Sequence, residues 1–191
     1  MKQARLLKKD EFKRVLAIIG AHKHSERNRI IFYLSFYAGL RACEIASLRI
    51  SDAIDGNNTV KAEVVLEAHM TKGSERQRVM LSTTLQKHLQ RYIDAHSAST
   101  TPNKPLLRSQ KGGAFTALTI SQLFAKFFDR AGIKGASSHS GRRQFITTLA
   151  EKQINVRVIQ ALARHKHLNT TMRYIDINDV KLQNAVEAFS M

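Results

Sequence analysis

The chain has 191 residues, of which 43% are hydrophobic and 24% charged, a composition typical of a folded globular domain and not of a disordered chain. Lysine and arginine total 31 against 15 acidic residues, a formal net charge of +16, which favours nucleic acid as a partner over acidic membranes or proteins. No apolar run approaches the roughly 18 residues of a membrane span, the charged start excludes a secretory segment, and the lone Cys43 excludes an intramolecular disulfide, so we expect a cytoplasmic protein without membrane contacts.

Helical patterns open the chain. Apolar residues at helical spacing from Phe12 to Ile19 predict a first helix that Gly20 stops. The stretch RNRIIFYLSFYAGL is apolar nearly all round, which predicts a buried central helix ending at Gly39. A further helix begins near RACEIASLRI, and Arg41 therefore falls at the junction between two helices.

The sequence pattern changes from helical to β-strand type between residues 54 and 81. Asp-Gly and Lys-Gly turns separate β-branched runs there, which predicts a small antiparallel sheet with Lys72 and Gly73 at its tip or just before it. Two Thr-x-x-Gln capping boxes, Thr83–Gln86 and Thr119–Gln122, then predict two core helices.

The remaining chain returns to loops and helices. Residues 96–105 hold both prolines and show no periodicity, so we expect a connecting loop there. From residue 139 the pattern predicts a helix through TTLAEKQ, another after Asn155, a third over KHLNTTMRY and an amphipathic tail helix within 178–191. The sequence as a whole predicts a single domain over 1–191 that is mainly α with a small antiparallel β-sheet.

The stretch HSGRRQF places charges beside apolar residues that a domain would bury. His139 and Arg142 are three residues apart, so at a helix start they can project from one side and share one anion. Arg143 lies roughly 100° further round the helix, where we expect a surface phosphate contact or a solvated charge. An isolated His-x-x-Arg pair is weak evidence, so its meaning depends on the motifs around it.

Those motifs are GLRACEIASLRISD (39–52), MTKGSERQRVML (70–81), HSGRRQF (139–145) and LARHKHLNTTMRYIDI (162–177). Their order and approximate separations resemble the catalytic domain of the tyrosine recombinases, or phage integrases, from about Leu6 to Asp176. The resemblance implies the tyrosine recombinase catalytic-domain fold. It also implies six catalytic residues, namely Arg41, Lys72, His139, Arg142, His165 and Tyr174.

Phosphodiester chemistry explains the roles implied for the two arginines, the tyrosine and His139. Arg41 and Arg142 would clamp the phosphoryl oxygens, because a guanidinium offers bidentate bonds and stays charged. Tyr174 would be the nucleophile, with His139 as its proton acceptor. The alternatives are that Arg41 only pairs with Glu44, and that Tyr174 is only a tyrosine of an amphipathic helix.

The other two roles concern hydrogen bonding and the leaving group. His165 would donate a hydrogen bond to a phosphoryl oxygen, or it is merely a buried, satisfied histidine. Lys72, on its hairpin, would protonate the leaving 5′ oxygen. The alternative for Lys72 is a solvated turn lysine, with Lys61 or Lys111 acting in its place.

The resemblance implies a site-specific DNA recombinase that works through a 3′-phosphotyrosyl intermediate, with integration, excision or inversion as the outcome. No ATP, metal or other cofactor is expected, because the phosphotyrosyl link would store the bond energy. The pairs His22/His24 and His165/His167 also lack cysteine or acidic companions at metal-ligand spacing. The implied partner is double-stranded DNA, with a tetramer on paired sites, a monomer in solution and possible accessory DNA-bending or directionality proteins. A non-cleaving DNA-binding or regulatory module and a type IB topoisomerase-like enzyme are the alternatives.

Three departures from the family pattern are visible. The chain has Ala163-Arg164-His165 where Leu-Gly-His is usual, and Gly141 where leucine is common. It also begins where the family's catalytic domain begins, so we expect a short single-domain member without the N-terminal core-binding domain.

Overall fold

A computed structural model describes residues 4–71, 73–96, 101–175, 182–183 and 186–187. These residues are mainly helical with one two-stranded sheet, which confirms the predicted fold class. The helices are α1 Lys9–Gly20, α2 Ser25–Ala38, α3 Ala42–Ser47, α4 Ile50–Ala53, α5 Thr83–Ala95, α6 Ala117–Arg130, α7 Ser140–Glu151, α8 Val156–Ala163 and α9 Leu168–Met172, and the strands are β1 Glu63–Leu66 and β2 Gln77–Met80. Within the described residues, no helix combines the length and apolarity needed to cross a membrane.

The chain divides into two compact units, Met1–Phe145 and Ile146–Met191, with the division inside α7. The first unit contains α1 to α6, both strands and the start of α7, and the second contains α8 and α9. The single domain expected over 1–191 stays a prediction.

Helix α2 is the centre of the first unit's hydrophobic core. Its residues are buried nearly all round, as its continuous apolar sequence predicts. The rings of Phe32 and Phe36 stack with their centroids 4.2 Å apart, and Phe12 of α1 packs against Phe32 at 5.1 Å. Aromatic burial of this kind fixes the axis of α2, and with it the turn at its C-terminal end.

The N-terminus of α5 lies one residue from where the sequence places it. Ser82 is the N-cap, and its hydroxyl accepts a hydrogen bond from the Leu85 N–H at 3.3 Å. The predicted Thr83–Gln86 capping box is therefore wrong. The Gln86 amide instead donates to the carbonyl of Leu81 at 2.8 Å, because helix α5 directs this side chain back towards the preceding residues.

The N-terminus of α6 lies three residues before the predicted one. Thr116 is the N-cap, and its hydroxyl accepts from the Thr119 N–H at 3.1 Å while Thr119 Oγ1 accepts from the Thr116 N–H at 2.8 Å. The box predicted at Thr119–Gln122 is therefore wrong. A threonine hydroxyl can close the reciprocal pair as well as a glutamine side chain can, so the earlier threonine starts the helix.

The sheet is an antiparallel pair, with Glu63 opposite Met80 and Leu66 opposite Gln77. A 3-10 turn, Ala68–Met70, follows β1. Lys72, the predicted catalytic lysine between the two strands, lies outside the described residues.

Candidate active site

The turn between α2 and α3 requires a glycine. Gly39 ends α2 with φ +62°, in the left-handed region that L side chains rarely adopt. A Cβ atom at this position would lie 2.7 Å from Cδ1 of Phe145. The chain can therefore reverse closely against α7, and this reversal places Arg41 directly before α3.

Arg41 is held by the buried carboxylate of Glu44. The guanidinium Nη1 lies 2.6 Å from Glu44 Oε1, and the Arg41 backbone N–H donates to Oε2 at 2.9 Å. The Glu44 side chain is fully buried, whereas 24% of the Arg41 side chain remains exposed. The ion pair that the sequence offered as an alternative is thus present, and it leaves part of the arginine accessible to a ligand.

Arg142 meets the same turn from α7. It is only 6% exposed, and its Nη1 donates to the carbonyl of Gly39 at 2.8 Å. That carbonyl lies two residues before Arg41, so both predicted clamp arginines lie at this turn. His139, three residues before Arg142, is exposed just ahead of α7, and its backbone N–H donates to Ser137 Oγ at 3.3 Å.

Gly141 allows α7 to approach α2 closely. A Cβ atom here would collide with Ser35 Oγ and would lie 2.8 Å from Cδ2 of Phe36. The leucine that is common at this position in the family would not fit against these two residues. This departure therefore sets the close contact of α2 with the start of α7, one residue before Arg142.

The sequence predicts Arg143 as a surface phosphate contact or a solvated charge. Its Nη1 donates to the carbonyl of Ala4 at 2.6 Å, and its Nε is buried without a hydrogen-bond partner among the described groups. The neighbouring Gln144 accepts from the Leu7 N–H at 3.0 Å. The segment before α1 thus binds one end of the guanidinium, so the prediction of a solvated charge is wrong, whereas the phosphate contact stays a prediction.

In the second unit, Thr171 contacts both His165 and Tyr174, two further candidates for catalytic residues. Its side chain is fully buried, and its Oγ1 lies 2.9 Å from Nδ1 of His165. Its carbonyl accepts from the Tyr174 N–H at 3.0 Å. The rings of His165 and Tyr174 stack with their centroids 6.0 Å apart and an interplanar angle of 23°. Sequence reasoning missed Thr171, for which the available signal was its position three residues before the tyrosine.

Arg164 explains why the family has glycine in its Leu-Gly-His motif. It follows α8 in the left-handed conformation, with φ 55° and ψ 45°. That conformation costs an L residue about 1–2 kcal/mol relative to glycine. The turn brings the His165 N–H to the carbonyl of Gln160 at 3.1 Å, which anchors the histidine backbone.

The lysines proposed as substitutes for Lys72 differ in their surroundings. Lys61 Nζ donates to the carbonyl of Ser51 at 2.8 Å, whereas Lys111 is exposed in the loop before α6. The described residues contain no group of three or more histidine, cysteine, aspartate or glutamate side chains placed to hold a metal, and metal independence stays a prediction.

Comparison with known proteins gives consistent matches. Residues 5–181 match the phage integrase family. The tyrosine recombinase XerA of Pyrococcus horikoshii is 26% identical over 185 residues, which cover 95% of this chain and 60% of that protein. The chain thus spans about three fifths of the length of this curated relative.

Solved structures share the fold. The crystal structure of a XerA recombinase has a TM-score of 0.75 at 24% identity, covering all of this chain and 67% of that one. The Tn1549 transposon integrase in complex with transposon right end DNA has a TM-score of 0.77 at 16% identity, also covering all of this chain and 67% of that one. These likenesses confirm the tyrosine recombinase catalytic-domain fold.

Proposed function

The chain belongs to the phage integrase family, and on that premise we propose that it is a site-specific recombinase that cleaves and rejoins duplex DNA through a 3′-phosphotyrosyl intermediate. The observation that carries the proposal is the pair of arginines at one turn. Arg142 is buried and bonded to the Gly39 carbonyl, two residues before Arg41. Two guanidinium groups held rigidly on adjacent elements are suited to a phosphate, whose oxygens accept bidentate hydrogen bonds.

The arginines would act on the transition state. Attack on a phosphodiester concentrates negative charge on its nonbridging oxygens, and preorganised cations stabilise that charge most when they need not reorganise. Glu44 orients Arg41 through both its backbone and its side chain, and α7 and the Gly39 carbonyl orient Arg142. In this proposal, the folded structure orients the two cations before the phosphate binds.

Tyr174 would attack the phosphorus, forming the phosphotyrosyl bond while the bond to the 5′ oxygen breaks. The phenolic proton would pass to His139, whose exposed position leaves it accessible, and Lys72 would protonate the leaving oxygen. His165, fixed by Thr171 and stacked on the tyrosine ring, would donate a hydrogen bond to a phosphoryl oxygen. Religation would reverse these transfers with the 5′ hydroxyl of another strand.

The proposed partner is duplex DNA, supported by the charge of +16 and by the DNA held in the Tn1549 integrase complex. A monomer in solution would assemble into a tetramer on paired sites, with accessory DNA-bending or directionality proteins as further partners. With such a partner, we expect a cytoplasmic, nucleoid-associated protein.

A covalent trap tests the proposal. We would incubate the protein with a library of nicked random-sequence duplexes in the presence of a chelator, and then look for a protein–DNA adduct by denaturing electrophoresis. We expect an adduct from the wild type and none from Tyr174→Phe, which lacks the nucleophilic hydroxyl, while duplex affinity stays nearly unchanged because phosphate contacts dominate it. Tyr37→Phe, an exposed tyrosine of α2, is the matched control and should form the adduct.

Other outcomes separate the alternatives. Binding without any adduct would identify a non-cleaving module, and an adduct that relaxes supercoils without exchanging strands would identify a topoisomerase-like enzyme. An adduct that forms only when magnesium is restored would contradict the metal-free mechanism.

A further inference from the structure

A cavity lined by polar and apolar residues lies in the first unit, at the opposite end of α2 from Gly39. Its volume is about 450 Å³, and residues of the first turn of α2 line it together with residues of α5 and of the loop before α6. Because α2 has 14 residues, its length of on the order of 20 Å at 1.5 Å per residue separates this cavity from the arginine pair. The cavity is thus distinct from the candidate active site.

The guanidinium of Arg27 contacts neutral groups of the described residues. Its guanidinium donates to Asn28 Oδ1 at 2.8 Å and to the Arg108 carbonyl at 3.0 Å, and it lies 5.0 Å from the centre of the Phe115 ring. Among the described residues no carboxylate forms an ion pair with it, and burial lowers the pKa of Arg27. A half-buried charge without a counterion is costly, and an anion in the cavity would offset that cost.

Further donors line the same cavity. Arg108 and Lys23 add two cations, and His24 adds an imidazole whose Nε2 is buried without a partner among the described groups. Burial and the nearby charges of Arg27 and Lys23 lower the pKa of His24. Glu26 is the one carboxylate among the described residues of the cavity lining, against the cations Lys23, Arg27 and Arg108, so the lining carries more positive than negative charge.

Aromatic and apolar side chains also line the cavity. Tyr92 is 8% exposed, and its ring lies 4.5 Å from that of His96. Burial raises the pKa of Tyr92, so the phenol stays protonated and can donate a hydrogen bond. A cavity of this size, with apolar walls and a few convergent polar groups, has the features of a small-ligand site.

We propose that this cavity binds a phosphate group at a site separate from the candidate active site. Two guanidinium groups, an ammonium and a phenol line this cavity, and a tetrahedral phosphate offers separate oxygens that a guanidinium can bind in bidentate fashion, which a monatomic anion does not. The phosphate comes either from a free phosphate or mononucleotide or from the backbone of bound DNA. The inference does not rest on the proposed recombinase activity.

Backbone NMR distinguishes the two phosphate sites by location. We would titrate inorganic phosphate into the ¹⁵N-labelled protein at constant ionic strength, with chloride as the reference anion. Amide signals of residues 24–27 and 108–110 report on the cavity, whereas signals of residues 140–142 report on the arginine pair. We expect saturable shifts at the cavity signals. In Arg108→Ala and in Lys23→Ala, we expect the dissociation constant for phosphate to rise at least tenfold.

A matched variant tests the specificity of this effect. Lys13→Ala removes one exposed cation from α1, outside the cavity lining, and should leave phosphate affinity at the cavity unchanged. Equal weakening in Lys13→Ala, or no cavity shifts in the wild type, would overturn the proposal. Lys23 is itself exposed, so its variant reports on binding even if Arg108→Ala fails to fold.

Adenosine monophosphate and a short duplex identify the source. Cavity shifts with the duplex that excess phosphate reverses would assign the site to the DNA backbone. Cavity shifts with the mononucleotide or inorganic phosphate, but none with the duplex, would assign it to a free anion. Both results support the phosphate site, and a cavity that responds to none of the three probes contradicts it.

Discussion

At the scale of single residues, the structural and proposed catalytic roles of Arg41 overlap. The same guanidinium that would bind a phosphate also neutralises the fully buried Glu44. Removing one partner of a buried ion pair leaves an uncompensated charge, which usually costs more than the pair contributes. Loss of activity in a simple Arg41 variant would therefore not by itself identify a catalytic role.

A double variant separates the two roles. We predict that Arg41→Ala loses about 3–5 kcal/mol of unfolding free energy together with DNA cleavage. Adding Glu44→Gln should recover most of the stability, because the neutral amide still accepts from the backbone N–H, while cleavage stays lost. Urea unfolding and adduct formation measure the two effects. Recovery of cleavage in the double variant would mean that Arg41 serves only Glu44.

At the scale of elements, the close contact between α2 and α7 positions the start of α7. Ser35 and Phe36 leave no room for a side chain at Gly141, and Arg142 follows immediately. Protein cores transmit such misfits because they are close-packed. A small change at this contact should therefore alter both stability and the candidate active site.

We predict that Gly141→Ala lowers the unfolding free energy by about 1–3 kcal/mol, the usual cost of overpacking, and reduces adduct formation as α7 shifts. The matched control is Gly20→Ala at the end of α1, where a new Cβ would meet only the far end of the Arg29 side chain, at 3.3 Å. That control should unfold and cleave nearly as the wild type does. Urea unfolding curves measure the stabilities, and equal effects of the two substitutions would contradict the role of Gly141.

The start of α5 offers a test of the observed cap. Ser82 accepts from the Leu85 N–H, so Ser82→Ala should cost about 1 kcal/mol, the typical value for losing an N-cap side chain. Thr83→Ala should change the unfolding free energy by a few tenths of a kcal/mol at most, since Thr83 lies inside the helix and is exposed. Thermal unfolding of the two variants checks this order, and the reverse order would restore the capping box that the sequence predicts.

At the scale of the whole molecule, the C-terminal segment bears on the proposed assembly of protomers on DNA. Of the predicted tail helix over 178–191, four residues are described, and all four are helical. Leu182 and Val186 lie four residues apart and are 55% and 64% exposed, while Gln183 donates to Glu187 at 2.7 Å. Phe189 and the rest of this segment lie outside the described residues. Exposed apolar side chains at helical spacing are suited to a contact with another protomer.

We predict that truncation after Asp179 preserves folding of the monomer and weakens cooperative binding to paired DNA sites, because it removes the exposed apolar pair. Circular dichroism would measure folding, and electrophoretic mobility shift on one and two sites would measure cooperativity. The double substitution Leu182→Ser and Val186→Ser keeps the chain length and charge and removes only the apolar side chains. It should preserve folding and weaken cooperative binding as the truncation does. Unfolding of the truncated protein would mean that the tail packs in the core of its own chain and does not contact another protomer.

Much of the fold could be predicted from the sequence, because it depends on contacts between near neighbours. The continuous apolar run of α2 predicts a buried helix, and the periodicity of α8 predicts an amphipathic one. The order of the four motifs predicts the fold because a family's motifs mark the same elements. The N-cap positions of α5 and α6 were predicted less accurately. Several hydroxyl groups near a helix start can accept hydrogen bonds from the same N–H groups, and the local backbone orientation determines which of them does.

Contacts between distant residues required the folded structure. Arg142 donates to Gly39 across 103 residues, and Arg143 donates to Ala4 across 139. No local pattern encodes which carbonyl a guanidinium will reach, because that depends on how α2 and α7 pack. The same holds for the lack of space at Gly141 and for the cavity beside Arg27. Residue types and spacing thus predict which chemistry is available, whereas packing determines which of these groups are held rigid and which remain open to a ligand.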